Sequence, residues 1–175
     1  MQLSKMKSLI AGLSLLAAGA QAQVIDWDVH DVVESATVRH NQLETGLVFN
    51  DYFTFHLDNA SHLWSNTVAS NLGNVLRISA GQLELYSGSY FDGVADTLLG
   101  THIFDGTTGN LSHSFANLTG GDYYYKVSGL LTGVLGGQYT IASAVVPVPE
   151  PETYALMGLG LVGLIAARRK KHKAQ

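Results

Sequence analysis

The chain has 175 residues, of which 46% are hydrophobic and 14% are charged, and it contains no cysteine. This composition suits one folded domain and excludes intrinsic disorder, a coiled coil, a disulfide framework and thiolate chemistry. Residues 23–149 hold three cations and twelve carboxylates, a formal charge of −9, whereas the whole chain carries −4. An acidic domain of this kind indicates that nucleic acid is not a partner.

The N-terminal segment, residues 1–22, has the order of a secretory signal peptide. Two lysines precede an apolar run of about ten residues, and Ala20 and Ala22 occupy the −3 and −1 positions of a cleavage site. The alternative is a membrane anchor, but this run is shorter than the roughly 20 residues that a spanning helix needs. We expect signal peptidase to cut after Ala22 and to leave an exported chain that begins at Gln23.

Residues 23–146 predict one all-β domain. Runs with strand-like composition or alternation are separated by turns that contain glycine. These runs are residues 24–38, 47–57, 75–86, 97–104, 111–118, 123–127 and 138–145. About eight short strands at this spacing favour an antiparallel β-sandwich of jelly-roll type. Residues 61–71 are interpreted as a segment that can hold a helical turn.

Three residues of the second run, Phe49, Asp51 and Phe53, fall on one face of their strand because strand side chains alternate. Burial of the two aromatic rings places that face against the core, so Asp51 must be paired or lie at the edge of the strand. We interpret Asp51 as a cap or turn partner, and the alternative is an exposed ligand or ion site.

The sequence Tyr123-Tyr124-Tyr125 sends successive rings to opposite faces of a strand, so at least one ring is expected to point outward. An outward ring can stack on a sugar, although ordinary surface or interface exposure is the more general explanation.

The sequence shows no catalytic spacing. No H-x-x-x-H or H-E-x-x-H pair, G-x-S-x-G elbow or phosphate-binding loop is present. The glycine-bearing loops 92–96 and 105–110 carry oxygen ligands but match no calcium motif, so turn chemistry is favoured. We therefore predict no enzymatic activity, no cofactor and no metal. An enzyme whose acidic and histidine residues converge only in space stays the alternative.

The last 29 residues divide into a Pro/Glu spacer (147–152), an apolar segment (153–167) and a basic tail (168–175). A helix can begin only after Pro151. About 14 apolar residues give roughly 21 Å of helix against a hydrocarbon core of about 30 Å, so this segment spans a bilayer only with local thinning and snorkelling cations. A buried core helix is the alternative. The basic residues Arg168, Arg169, Lys170 and Lys171 predict a cytoplasmic tail.

Pro149-Glu150-Pro151, the apolar segment and the basic tail, together with the signal peptide, resemble the PEP-CTERM sorting signal of Gram-negative, biofilm-forming bacteria. The resemblance implies that a membrane-embedded exosortase recognises the tripeptide, removes the helix and tail, and passes the protein to the cell surface or an exopolysaccharide matrix. Pro149, Glu150 and Pro151 would then be processing residues in a protein that is first anchored in the inner membrane.

Two further patterns extend the resemblance into the domain. Phe49-x-Asp51-x-Phe53 is similar to the motif that names the FxDxF subgroup of these sorted proteins. Residues 118–129 and 136–139 are similar to the closing hairpin of that subgroup and of β-sandwiches appended to secreted peptidases. The subgroup implies a location and supplies no catalytic activity.

The leading hypothesis is a non-enzymatic exported protein of the cell surface or extracellular matrix. Its C-terminal helix holds it in the membrane until exosortase processes it, and signal peptidase removes its N-terminal segment. The alternative is a carbohydrate-binding β-sandwich that contacts exopolysaccharide through exposed tyrosines and loop aspartates, with or without calcium.

Overall fold

A computed structural model describes residues 22–106, 113–147, 156–162 and 164. These residues form nine strands, a short 3-10 helix (Gln42–Glu44) and helical residues at 156–162 and 164. The strands are β1 (Val24–Val29), β2 (Val33–His40), β3 (Val48–Leu57), β4 (Ser61–Ala69), β5 (Ile78–Ser87), β6 (Thr97–Phe104), β7 (His113–Leu118), β8 (Gly121–Leu131) and β9 (Gly137–Pro147).

The strands form two sheets. The five-stranded sheet has the order β1-β3-β8-β5-β6, and the four-stranded sheet has the order β2-β9-β4-β7. Neighbouring strands pair antiparallel throughout, except that β1 runs parallel to β3. The two sheets enclose one hydrophobic core, so the predicted antiparallel-rich, all-β sandwich is confirmed.

The alternation of buried and more exposed residues along β3 shows how the core forms. On β3, Phe49, Phe53, Phe55 and Leu57 are all buried, and their polar neighbours are only partly covered. The opposing sheet contributes buried residues such as Tyr139 of β9. Strand periodicity therefore fixes which face of each sheet is internal.

The expected helical turn at residues 61–71 is wrong, because Ser61–Ala69 form β4. Its buried positions include Leu63, Ser65 and Thr67, which alternate with more exposed neighbours. Small polar residues on the inner face hide the apolar alternation that marks a strand in sequence.

The predicted run 24–38 is two strands that belong to different sheets. β1 joins the five-stranded sheet, whereas β2 pairs with β9 in the other sheet. Between them, the backbone N–H of His30 donates to the carbonyl of His56 at 2.9 Å, which holds the end of β1 against β3. The crossing segment contains neither Gly nor Pro, so the sequence gives no break signal there.

The helical residues near the C-terminus carry exposed apolar side chains, among them Leu156, Met157 and Leu164. Within the described ranges, none of the helical segments is both long enough and apolar enough to cross a bilayer. The predicted span at 153–167 lies partly outside those ranges and stays a prediction.

Candidate functional site

A cavity of about 430 Å³ lies at one end of the five-stranded sheet, where β1, β3 and β8 meet the β5–β6 loop. Its lining residues are Asp26, Asp28, Val29, Thr54, Phe55, His56, Gly88, Ser89, Tyr90, Asp122 and Tyr123. The lining contains three carboxylates and one imidazole but no lysine or arginine. The cavity is therefore acidic, in keeping with the charge of the whole domain.

An irregularity in β1 positions the first carboxylates. The pairing of β1 with β3 shifts register between Asp26 and Val29, and Asp28 adopts φ +52° at that point. Asp26 Oδ1 accepts hydrogen bonds from Thr54 Oγ1 at 2.8 Å and from the backbone N–H of Asp28 at 3.2 Å. A bulge of this kind redirects side chains at the rim of a sheet.

The opposite wall is a cross-strand pair. His56 on β3 and Asp122 on β8 are partners in the ladder, and His56 Nδ1 lies 2.6 Å from Asp122 Oδ1. Their side chains are 45% and 59% exposed, so the pair adds little to stability. Its polar atoms remain accessible to a bound molecule.

Aromatic rings form the third wall and the adjoining outer face of the sheet. We define the tyrosine cluster as Tyr52, Tyr86, Tyr90 and Tyr124. Tyr90 stacks on Tyr52 with a centroid distance of 4.0 Å, and Tyr86 stacks on Tyr124 at 4.9 Å. Burial and the neighbouring Tyr52 raise the pKa of Tyr90 to about 12, so its hydroxyl stays protonated at neutral pH.

The loop that carries Tyr90 is fixed at both ends. Gly88 adopts φ +137°, and a Cβ at that position would collide with the carboxylate of Asp96, so only glycine fits there. Asp96 Oδ2 in turn accepts a hydrogen bond of 2.9 Å from the Tyr124 hydroxyl. Burial and this carboxylate raise the pKa of Tyr124 above its usual value.

The structure corrects the prediction of free tyrosine contacts. Tyr124 does point to the outer face, but it is only 6% exposed because other rings of the tyrosine cluster pack against it. Tyr125 is fully buried in the core. Tyr90, which the sequence analysis did not single out, is the tyrosine of the cluster that lines the cavity. Its only signal in the sequence is an aromatic residue two positions after a loop glycine.

Asp51 lies apart from this cavity, in the core, with no exposed surface. It accepts hydrogen bonds from Tyr139 Oη at 2.7 Å, His40 Nε2 at 2.8 Å and the backbone N–H of Gln23 at 2.9 Å. The interpretations as a turn partner and as an exposed ligand site are both wrong. The carboxylate is buried because Asp51 lies on the inward face of β3. Its hydrogen-bond donors come from three other segments of the chain.

The pKa values of His40 and Tyr139, two of the donors to Asp51, are raised. Burial lowers the pKa of His40, but hydrogen bonds and charges from Asp51 and Glu44 outweigh burial and leave that pKa above its ordinary value. Burial and the adjacent Asp51 carboxylate also raise the pKa of Tyr139 well beyond the physiological range. Tyr139 therefore always donates its hydrogen bond.

The loop 92–96 uses its carboxylates locally. Asp92 Oδ1 accepts from the backbone N–H of Val94 at 2.7 Å, which is an Asx turn, and Asp96 holds Tyr124. The loop 105–110 lies partly outside the described residues. In the part of the chain that the structure describes, no group of three or more His, Cys, Asp or Glu is arranged to hold a metal ion.

Most of the predicted processing residues lie outside the described residues. These are Ala20, Pro149, Glu150, Pro151, Arg168, Arg169, Lys170 and Lys171. Ala22 and Gln23 are described, and both are exposed. Phe49 and Phe53 are fully buried, as expected for the inner face of β3.

Comparison with known proteins gives one family match. A family model described as a PEP-CTERM protein-sorting motif matches residues 147–170. No curated protein matches the chain.

Three solved structures are similar in fold at low sequence identity. A periplasmic inhibitor of g-type lysozyme, PliG from Aeromonas hydrophila, aligns with TM-score 0.44 and 10% identity over 72% of this chain and 100% of that one. The pre-peptidase C-terminal domain of a Bacillus anthracis collagenase aligns with TM-score 0.39 and 16% identity, over 72% and 97%. A Yersinia pseudotuberculosis-derived mitogen aligns with TM-score 0.38 and 10% identity, over 68% and 88%.

The chain is thus a β-sandwich protein that carries a PEP-CTERM protein-sorting motif. This motif indicates an exported, envelope-associated protein that an exosortase processes.

Proposed function

We propose that this protein is a non-enzymatic component of the cell surface or extracellular matrix of a Gram-negative, biofilm-forming bacterium. Signal peptidase removes residues 1–22, the segment 153–167 holds the chain in the inner membrane, and exosortase cuts at Pro149-Glu150-Pro151. The match to the sorting motif at residues 147–170 carries the proposal. The proposal includes membership of the FxDxF subgroup and a jelly-roll-like arrangement of the sandwich.

The position of the motif supports this function. β9 ends at Pro147, which is also where the motif match begins, so the folded domain and the sorting signal share only this residue. An exported domain with a formal charge of −9 also repels like-charged copies, which favours solubility before it is attached.

Replacing Pro149, Glu150 and Pro151 by alanine should abolish processing. Intact mass spectrometry of the envelope and medium fractions should show the wild-type chain shortened near Pro149, and the variant still ending at Gln175 in the membrane. Glu152→Ala, which replaces a glutamate just outside the tripeptide, is the control. If the alanine variant were processed and displayed at the surface like the wild type, the sorting proposal would be wrong.

A second candidate function is saccharide binding in the cavity. The partly exposed ring of Tyr90, which also packs against Tyr52 and Phe91, lies beside the polar atoms of the cavity wall. Sugar recognition uses aromatic contacts together with directional hydrogen bonds, which here would come from Asp26, His56 and Asp122. Because the lining is acidic, neutral or amine-bearing polysaccharides fit it better than anionic ones.

Tyr90→Ala should weaken retention of the purified protein on insoluble chitosan about tenfold, because loss of one stacking contact removes roughly 1–1.5 kcal/mol. Asp122→Asn should weaken it as well. Trp64→Ala is the control, since Trp64 is a half-exposed aromatic residue on β4, outside the cavity. If both cavity variants were retained as strongly as the wild-type protein, this site would be excluded. Repeating the measurement with a chelator tests whether calcium contributes.

A further inference from the structure

The first described residues of the domain are tied to β3 by their backbone. The N–H of Gln23 donates to Asp51 Oδ1 at 2.9 Å, and the carbonyl of Gln23 accepts from the N–H of Tyr52 at 2.8 Å. The next residue, Val24, begins β1 and pairs with Tyr52. The nitrogen of Gln23 is therefore held at a fixed place beside a fully buried carboxylate.

The surroundings of that carboxylate contain little positive charge. Asp51 faces His40 from β2 and Tyr139 from β9, and Glu44 lies 3.4 Å from the other nitrogen of His40. Among the described residues, no lysine or arginine pairs with Asp51. Asp51 therefore offsets its buried negative charge with an imidazole, a hydroxyl and a neutral backbone N–H.

Cleavage after Ala22 changes the chemistry at this point. Signal peptidase hydrolyses the Ala22–Gln23 peptide bond: water adds, the new carboxylate leaves with Ala22, and the new amine remains on Gln23 and takes up a proton. An α-amino group has a pKa of about 7.7–8.0, so it is mainly charged at neutral pH. The neutral N–H donor beside Asp51 becomes an ammonium group.

We propose that Asp51, His40 and Tyr139 form a binding site for the mature N-terminus, in which the α-ammonium group of Gln23 pairs with the Asp51 carboxylate. The inference rests on the proposed export and cleavage. Removal of the leader adds a positive charge beside the buried carboxylate and strengthens the attachment of β1, an edge strand. The neutral N–H already donates to a charged carboxylate, and an ammonium group adds direct attraction between opposite charges, so the mature domain is more stable than its precursor.

The test compares two purified chains in the same detergent. One begins at Gln23 and the other retains Ala20-Gln21-Ala22, and both end at Gln175, so their net charges are equal. The chain that begins at Gln23 should unfold about 4 °C or more higher. The difference should disappear in Asp51→Asn and persist in Asp26→Asn, which removes a carboxylate on β1 that does not contact Gln23.

A second measurement covers the case in which Asp51→Asn does not fold. Acylation of the α-amine by a succinimidyl ester, followed by mass spectrometry of the N-terminal peptide, should be at least tenfold slower in the chain that begins at Gln23. Equal unfolding temperatures or equal acylation rates in the two chains would overturn the ion pair and leave sorting through residues 147–170 intact.

N-terminal sequencing of the protein from cells separates this inference from the proposed export. A chain that begins at Gln23 supports it. A natural N-terminus at another residue overturns both the predicted cleavage site and the role of Asp51 in maturation.

Discussion

At the scale of single residues, Tyr139 is the central donor of the Asp51 network. Its ring is fully buried and stacks on Phe49 with a centroid distance of 5.6 Å. Its hydroxyl makes the shortest hydrogen bond to Asp51, at 2.7 Å. The residue therefore has separable roles, since the ring packs and the hydroxyl satisfies a buried acceptor.

Tyr139→Phe keeps the ring and removes the donor. We expect the free energy of unfolding to fall by about 1–3 kcal/mol, because a buried carboxylate oxygen loses a partner. Urea denaturation measures the change. Tyr123→Phe is the control, since that hydroxyl donates to the Thr119 carbonyl in a half-buried position and should cost less. Equal losses in the two variants would contradict this account.

The sequence identified which residues share the inward face of β3, but it did not reveal the hydrogen-bond partners of Asp51. Strand alternation placed Phe49, Asp51 and Phe53 together because that period is local. Tyr139 lies 88 residues from Asp51 and on the other sheet, so only the assembled topology brings them together.

At the scale of elements, two histidines close one side of the sandwich. His102 on β6 and His113 on β7 stack with a centroid distance of 3.7 Å and an interplanar angle of 10°, and these strands are edges of opposite sheets. Phe115 packs edge-on against His102. Burial, and the charge of His113, lower the pKa of His102.

The lowered pKa of His102 predicts how the stability of the domain depends on pH. Because the pKa of His102 is lower in the folded state than its unfolded value near 6.5, protonation favours the unfolded state. The contribution to stability is complete above pH 6.5 and is lost as the pH falls below it. The urea midpoint should therefore decrease less between pH 7.5 and pH 5.5 in His102→Gln than in the wild type. An identical decrease in the two proteins would argue against the mechanism. Comparing variant with wild type cancels the contributions of His30 and His40.

Most elements were predictable because their hydrophobic pattern is local. The runs around β3, β5 and β6 are such cases. β4 was missed because Ser65 and Thr67 occupy inward positions. The move from β1 to β2 was missed because a change of sheet depends on pairing with β3 and β9, which a local pattern does not encode.

At the scale of the whole molecule, the sorting motif was predictable from the sequence, whereas the cavity was not. The sorting motif is contiguous in sequence, so residues 147–170 identify it without a fold. The cavity takes residues from β1, β3, β8 and the β5–β6 loop, and it exists only once the five-stranded sheet is assembled.

The strand registers have a geometric consequence for how the protein faces its surroundings. His56 and Asp122, at the cavity, come one ladder pair before Leu57 and Gly121, and only residues 58–60 separate Leu57 from β4. The first residue of β4 pairs with Pro147, two positions before the tripeptide at which we propose that exosortase cuts. Two residues span at most about 7 Å of extended chain. β9 thus ends at the same pole of the sandwich as the cavity, and the proposed attachment near Pro149 predicts that the cavity faces the layer that holds the protein.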